Sequence, residues 1–234
     1  MAVIHHTTLT PGKLELLSAW LPSQPWYRDD GRAPELDRAG GFRLDDPAGE
    51  VGLEFMAVTD AATGTTYHVP LTYRAHARPG EDHGLITMAE HGVLGRRWVY
   101  DGAYDPVLVA QLTALLQGQA EPQAQRISHT PDPTVTTGPP LADTPLTITG
   151  AATVASTGEG TELQVLVAGG GTVVLQLNRV LQPSDGHGGG AGVSATWQQP
   201  AGTQARGVFV TARYLPAGAK SRGLAAKWPD AGLT

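Results

Sequence analysis

GGGTVVLQLNRVLQP, residues 169–183, is a glycine turn running into an apolar strand with one amide, Gln176, at its centre. Side chains alternate along an extended chain, so Val173, Leu175 and Leu177 share one face while Val174, Gln176 and Asn178 share the other. TELQVLVA (161–168) precedes the glycines with the same character, and the two runs read as a β-hairpin. The glycines lack the following Gly-Lys-Ser/Thr of a phosphate-binding loop. LTITGAATVAS (146–156), GVSATWQQP (192–200) and ARGVFVTARYLP (205–216) supply three more strands. Residues 146–215 are therefore predicted to form a β-rich antiparallel lobe, packed mainly by Val165, Val167, Val173, Leu175, Trp197 and Phe209. STGEG (156–160) and GHGGGAG (186–192) are its loosest loops by composition, and residues 216–234 form a tail.

Upstream, VIHHTT (3–8) reads as a short strand. Thr10 then has the chemistry of an N-cap, with Pro11 at the first helical position. Leu14, Leu17, Trp20 and Leu21 give the helix an apolar face, and Pro22 ends it. Strands follow at 40–46, 50–60, 65–75, 84–92 and 94–102. Asp105 caps a second helix, with Pro106 at its first position and Gly118 as its stop. Residues 1–118 are thus predicted to form an antiparallel meander with two helices that folds as a unit. Residues 119–145, rich in Pro and Thr and without periodicity, read as an extended linker along the junction with the second half.

The 234 residues contain no cysteine, which removes disulfides, thiol nucleophiles and cysteine-based metal sites. No run approaches the roughly 18 apolar residues of a membrane span. The opening residues lack the pattern of a signal peptide, so a soluble, cytoplasmic protein is expected. The net charge is −6. Residues 1–120 hold 15 acids against 9 bases, and residues 121–234 hold 7 of each. Neither half is a basic surface, which argues against nucleic-acid binding. The histidines never fall at metal-ligand spacing, and no Gly-x-Ser-x-Gly elbow is present. The adjacent pairs Asp29–Asp30 and Asp45–Asp46 suit turns better than glycoside chemistry.

LLSAWLPSQPWY (16–27) and HGVLGRRWVYDGAYDPVLVAQLTALL (91–116) resemble the N-terminal cap of actinobacterial maltokinases and related aminosugar kinases. That resemblance implies a cystatin-like α+β cap, a curved antiparallel sheet around a helix. The family usually places a basic residue just before the aromatic pair, and here Pro25 stands there. In those kinases a small β-rich lobe follows the cap, and its third strand carries a lysine. TVASTGEGTELQVLVAGGGTVVLQLNRVLQP is similar in order, with Gln176 in the lysine's place. Lysine there would neutralise phosphate charge, and glutamine cannot. No His-Gly-Asp or Arg-Asp catalytic loop and no Asp-Phe metal pair occur in the sequence.

The resemblance therefore implies a cap joined to a degenerate kinase small lobe, a pseudokinase fragment without a catalytic lobe. No catalytic, metal or cofactor-binding residue is assigned. The leading expectation is a non-catalytic interaction or regulatory protein, docking on an enzyme of α-glucan, glycogen, trehalose or aminosugar metabolism. The alternative is a carbohydrate or small-molecule binder that uses the cleft between the halves, and an unrecognised glucan-related enzyme is the third reading. Candidate ligand or partner residues are Trp26 and Tyr27, in a loop expected to be exposed, Trp98 and Tyr100, on one strand face, and Gln176 and Asn178. Trp98 and Tyr100 also suit core packing, because aromatics are mostly buried.

Overall fold

The structure, a computed structural model, describes residues 9–78, 83–127, 129–150, 152–186 and 189–218. The predicted strand at 3–8, part of the 186–192 loop and most of the tail lie outside the described residues. The chain is mostly antiparallel sheet with two short α-helices. β1 (Leu9–Thr10) and α1 (Lys13–Trp20) lead into β2 (Leu36–Leu44), β3 (Gly52–Asp60), β4 (Thr66–Arg74), β5 (Leu85–His91) and β6 (Gly95–Asp101). After α2 (Pro106–Leu116) come two strands of two residues, β7 (Gln123–Ala124) and β8 (Thr136–Thr137). The second half supplies β9 (Thr153–Thr157), β10 (Gly160–Leu166), β11 (Thr172–Leu177), β12 (Ala191–Gln198) and β13 (Gln204–Leu215).

Most of these elements follow the sequence patterns. α2 starts as expected: Asp105 accepts the Val107 N–H at 3.0 Å, and Pro106 holds the first position. Gly118 takes φ +70° at its end, where the Gly118 and Gln119 N–H groups close back on Leu115 and Ala114. α1 departs from expectation. Thr10 pairs with Glu90 as part of β1, so its backbone belongs to the sheet, and Gly12 is the N-cap. The Glu15 carboxylate accepts the Gly12 N–H at 3.2 Å. The run 146–156 is also shorter than predicted: β9 begins at Thr153, and upstream only an isolated bridge joins Ile148 to Val167.

The strands form one sheet in the order β1-β5-β6-β4-β3-β2-β12-β13-β11-β10-β9. The two halves join where Gly40 of β2 pairs with Trp197 of β12. They meet again beyond β11. There the chain continues along β4: the His68 N–H donates to Arg179, Val180 bridges Tyr67, and the Leu181 N–H donates to Thr66. β4, β3, β2, β12, β13 and extended β11 therefore close a ring of six strands. Phe42, Phe55, Phe209 and Trp197 fill its centre. Phe42 stacks on Phe55 at 4.5 Å, and Phe209 lies 6.2 Å from Phe42 and 6.0 Å from Trp197.

One core runs through this ring and under α2, from Leu44 and Leu112 to Leu163 and Val173. The six second-half residues expected to pack it are all buried. A second core lies on the other face, between α1 and Met56, Val58, Tyr67 and Val69. The segment 119–145 is bound to the sheet through β7 on β2 and β8 on β12, with Val135 and Leu141 buried.

The β2 edge and half of the β4 edge are covered by residues beyond 118. The expectation that 1–118 folds alone changes accordingly. Expressed by itself, this fragment should show no cooperative urea transition, while the full chain unfolds in one step. A sharp fragment transition at the full chain's midpoint would refute ring closure as a source of stability.

Candidate functional site

The place where the halves interlock carries the densest buried polar chemistry. On one side β4 changes neighbour, pairing with Arg179–Leu181 at its start and with β6 from Leu71 onward. Arg179 sits at this branch, fully buried. Its Nη2 donates to Asp101 at the end of β6 at 2.6 Å, and its Nε donates to Thr161 at the start of β10 at 2.9 Å. Its guanidinium lies 5.0 Å from the Trp26 ring centre, a cation–π distance. The other oxygen of Asp101 accepts the Ala103 N–H and so starts the turn that leads into α2.

His68 lies beside this group inside the ring, 4.8 Å from Phe209 and 6.1 Å from Phe55. Neither ring nitrogen makes a hydrogen bond of good geometry, although the Asn178 and Phe209 backbones lie close enough to act on the ring. Burial, then the nearby Arg179 charge, lowers its pKa from the ordinary 6.5 to about 3. The imidazole is therefore neutral at physiological pH and acts as a polar ring in an aromatic cluster.

A second polar cluster lies at the start of α1. Glu54, on β3, accepts Lys13 at 2.5 Å, Tyr73 at 2.7 Å and Gln125 at 2.8 Å. Burial alone would raise its pKa, but the Lys13 charge and these hydrogen bonds hold it below the usual carboxylate value. Burial and the Glu54 charge push the Tyr73 hydroxyl well above 10. The cluster ties α1, the sheet and the 119–145 segment together. With both carboxylate oxygens of Glu54 accepting hydrogen bonds, its chemistry is structural.

The structure redistributes the residues singled out from sequence. Trp26, expected to be exposed, is 2% exposed. It packs edge-on against Trp20 at 5.7 Å and lies 6.0 Å from Tyr67, because Arg179 draws its face into the junction. Tyr27 is half-buried, 5.5 Å from Tyr67. Tyr100 is buried, and its oxygen accepts the Arg78 N–H at 2.9 Å. Trp98, by contrast, is half-buried and pairs across the strands with Met88, which is 52% exposed. Asn178 donates to the Val208 carbonyl at 2.9 Å. These six residues do not converge on one point.

Gln176 is half-buried in the middle of β11, between Glu162 of β10 and Thr211 of β13. Arg213, the basic residue on this face, lies 3.4 Å from Glu162. The adjacent acids elsewhere do turn work, as expected. Asp29 accepts the Gly31 N–H, Asp30 accepts from Arg32, and Asp46 accepts from Ala48, Glu50 and Val51. Among the described residues no three or more histidines or acids gather to hold a metal. Nor, among them, is any helix long and apolar enough to cross a membrane.

Sequence reasoning missed Arg179, Asp101 and His68. A lone arginine two residues after the β11 run carries no local signal of burial, and its partner is far away in the chain. Residues 20–105 match the family model of the maltokinase N-terminal cap domain. That span contains Trp26, His68 and Asp101 and stops short of Thr161 and Arg179. No curated protein matches the chain.

Arg179→Leu should cost about 3–5 kcal/mol in urea unfolding, because it strands the buried Asp101 carboxylate. Adding Asp101→Asn should recover part of that loss. A single-variant loss no larger than that of a surface pair would rule out the interlock. His68 gives a separate signature. Its folded pKa lies below its unfolded one, so the unfolded chain takes up the proton first. Stability should therefore fall as pH drops below 6.5, by at most about 1.4 kcal/mol per pH unit. His68→Leu should flatten this slope between pH 6.5 and 5. Glu54 and Asp105, with lowered values, lose their contribution only at more acidic pH.

Proposed function

We propose that this chain is a non-catalytic, maltokinase-related protein that docks on a partner enzyme. The carrying observation is the residue pair Gln176–Glu162. If β9, β10 and β11 correspond to a kinase small lobe, β11 is its lysine strand. Phosphate at that position would meet a neutral amide with a carboxylate directly opposite. The nearby Arg213 is oriented to that carboxylate. Transfer of a phosphoryl group needs concentrated positive charge, from lysine and bound magnesium, where the charge develops. This face has the reverse balance.

A docking role has a surface suited to it. Met88 and Trp98 lie side by side on the β5–β6 hairpin, and Val93 (63% exposed) and Leu94 continue the apolar area to its tip. Arg96 and Arg97 border it on a chain whose overall charge is negative. An apolar patch with a polar rim is a common form of protein–protein contact. The maltokinase-cap match supports the reading that the partner is an enzyme of α-glucan, trehalose or aminosugar metabolism, met in the cytoplasm.

Calorimetric titration with ATP–Mg tests the non-catalytic half of this reading. No binding tighter than about 1 mM is expected. Gln176→Lys should not restore it, because Glu162 would neutralise the new charge. Binding near 1 μM that disappears in Gln176→Ala would overturn the proposal.

A further inference from the structure

The sheet ends on β9, and among the described residues no strand pairs with its outer edge. An open edge offers a row of backbone donors and acceptors to another strand, and proteins usually guard it. The opposite end of this sheet is guarded. β1 is two residues long and Pro11 follows it, while β5 beside it carries Glu90 and a register shift between Leu85 and Thr87. β9 has none of these features. It reads Thr-Val-Ala-Ser-Thr (153–157), without charge or proline, and keeps one register along β10 from Thr153 to Thr157. Thr153, Ala155 and Thr157 are exposed on one face, and Val154 packs against the core from the other.

We infer that β9 pairs with β9 of a second copy of this chain, in a two-fold dimer whose sheet runs through both. Antiparallel pairing about an axis at Ala155 follows from the symmetry of the strand itself, because Thr-x-Ala-x-Thr reads the same in both directions. Ala155 then lies opposite its equivalent, Thr153 opposite Thr157, and Val154 opposite Ser156. Facing threonines are favourable cross-strand neighbours. Such a contact uses the same surface on both chains and closes at two.

Charge supports this occupant. The chain carries −6, so an arbitrary contact between copies is repulsive. Glu162, the acid opposite Ala155 on β10, is held by Gln164 at 2.9 Å and Arg213 at 3.4 Å. In the dimer the two Glu162 side chains stand three strand spacings apart, about 14 Å. That exceeds the screening length of about 8 Å at physiological salt. β9 therefore lets two copies meet without bringing like charges together. A five-residue edge buries less than the roughly 800 Å² per partner of a standard interface, so the dimer is weak and reversible. The edge lies at the other end of the sheet from the β5–β6 hairpin, so the inference goes beyond the docking reading and does not rest on it.

Sedimentation velocity of the full chain, from about 5 to about 500 μM, tests it, with a monomer–dimer Kd of about 100 μM expected. Thr153→Lys combined with Thr157→Lys should weaken the dimer at least about tenfold, because each lysine faces a lysine across the axis. The added lysines bring the net charge nearer zero, so general repulsion cannot explain the loss. Thr153→Glu combined with Thr157→Lys sets opposite charges face to face at the same positions and should keep the dimer at least as tight as the original. All these side chains are exposed, so the far-UV circular dichroism should be unchanged. A chain that stays monomeric across this range, a dimer unaffected by the two lysines, or two double variants of equal affinity would overturn the inference.

Discussion

The architecture depends on the buried pair of Arg179 and Asp101. The guanidinium reaches the end of β6, the start of β10 and the face of Trp26 from one position. Those three elements belong to three separate stretches of chain, and the pair fixes where they meet. Burying two charges is costly, and their attraction offsets this only with short contacts and further hydrogen bonds. Asp101 meets that condition through Ala103, and Arg179 through Thr161. One of its nitrogens, Nη1, has no hydrogen-bond partner, and the His68 nitrogens make no bond of good geometry. The ring interior thus combines close aromatic packing with unsatisfied polar groups, and its stability is correspondingly sensitive to acid.

Sequence patterns carried the local elements well. Asp105–Pro106 announced α2, and alternating valines and leucines announced β10 and β11, because these signals lie within one turn or one hairpin. The α1 start was misplaced because Thr10 has two attractive roles, and sheet pairing with β5 prevailed over capping. Ring closure was not legible. It rests on Gly40 meeting Trp197 and on Val180 meeting Tyr67, contacts between residues more than a hundred positions apart. One clue was present in the paired glycines of β2. Gly41 has φ +130°, and a Cβ there would fall 2.1 Å from the Phe55 carbonyl oxygen, so the strand needs glycine at that point.

The candidate site was legible in part. Gln176 stood out because its strand resembles the lysine strand of a kinase small lobe, alternation gave the face it shares, and its neighbours Glu162 and Thr211 follow once the strand registers are known. Trp26 was misread because a loop after proline suggests exposure, and the cation that covers it comes from the other half of the chain. Trp98 and Tyr100 share a strand face, as their spacing requires, yet Tyr100 is buried, with its hydroxyl accepting from the Arg78 N–H, while Trp98 is half-buried.

β4 has three neighbours: β3 along one edge, and β6 and the Arg179–Leu181 segment sharing the other. This shared edge bears on how such a chain can be inherited. The recognisable segment, residues 20–105, ends before two of the strands that close its sheet. A gene exchange that replaced only that segment would have to preserve the β2 and β4 edges and the position of Asp101. The unit that can move between genomes and still fold is therefore larger than the unit that sequence comparison recognises, and it extends at least to β13.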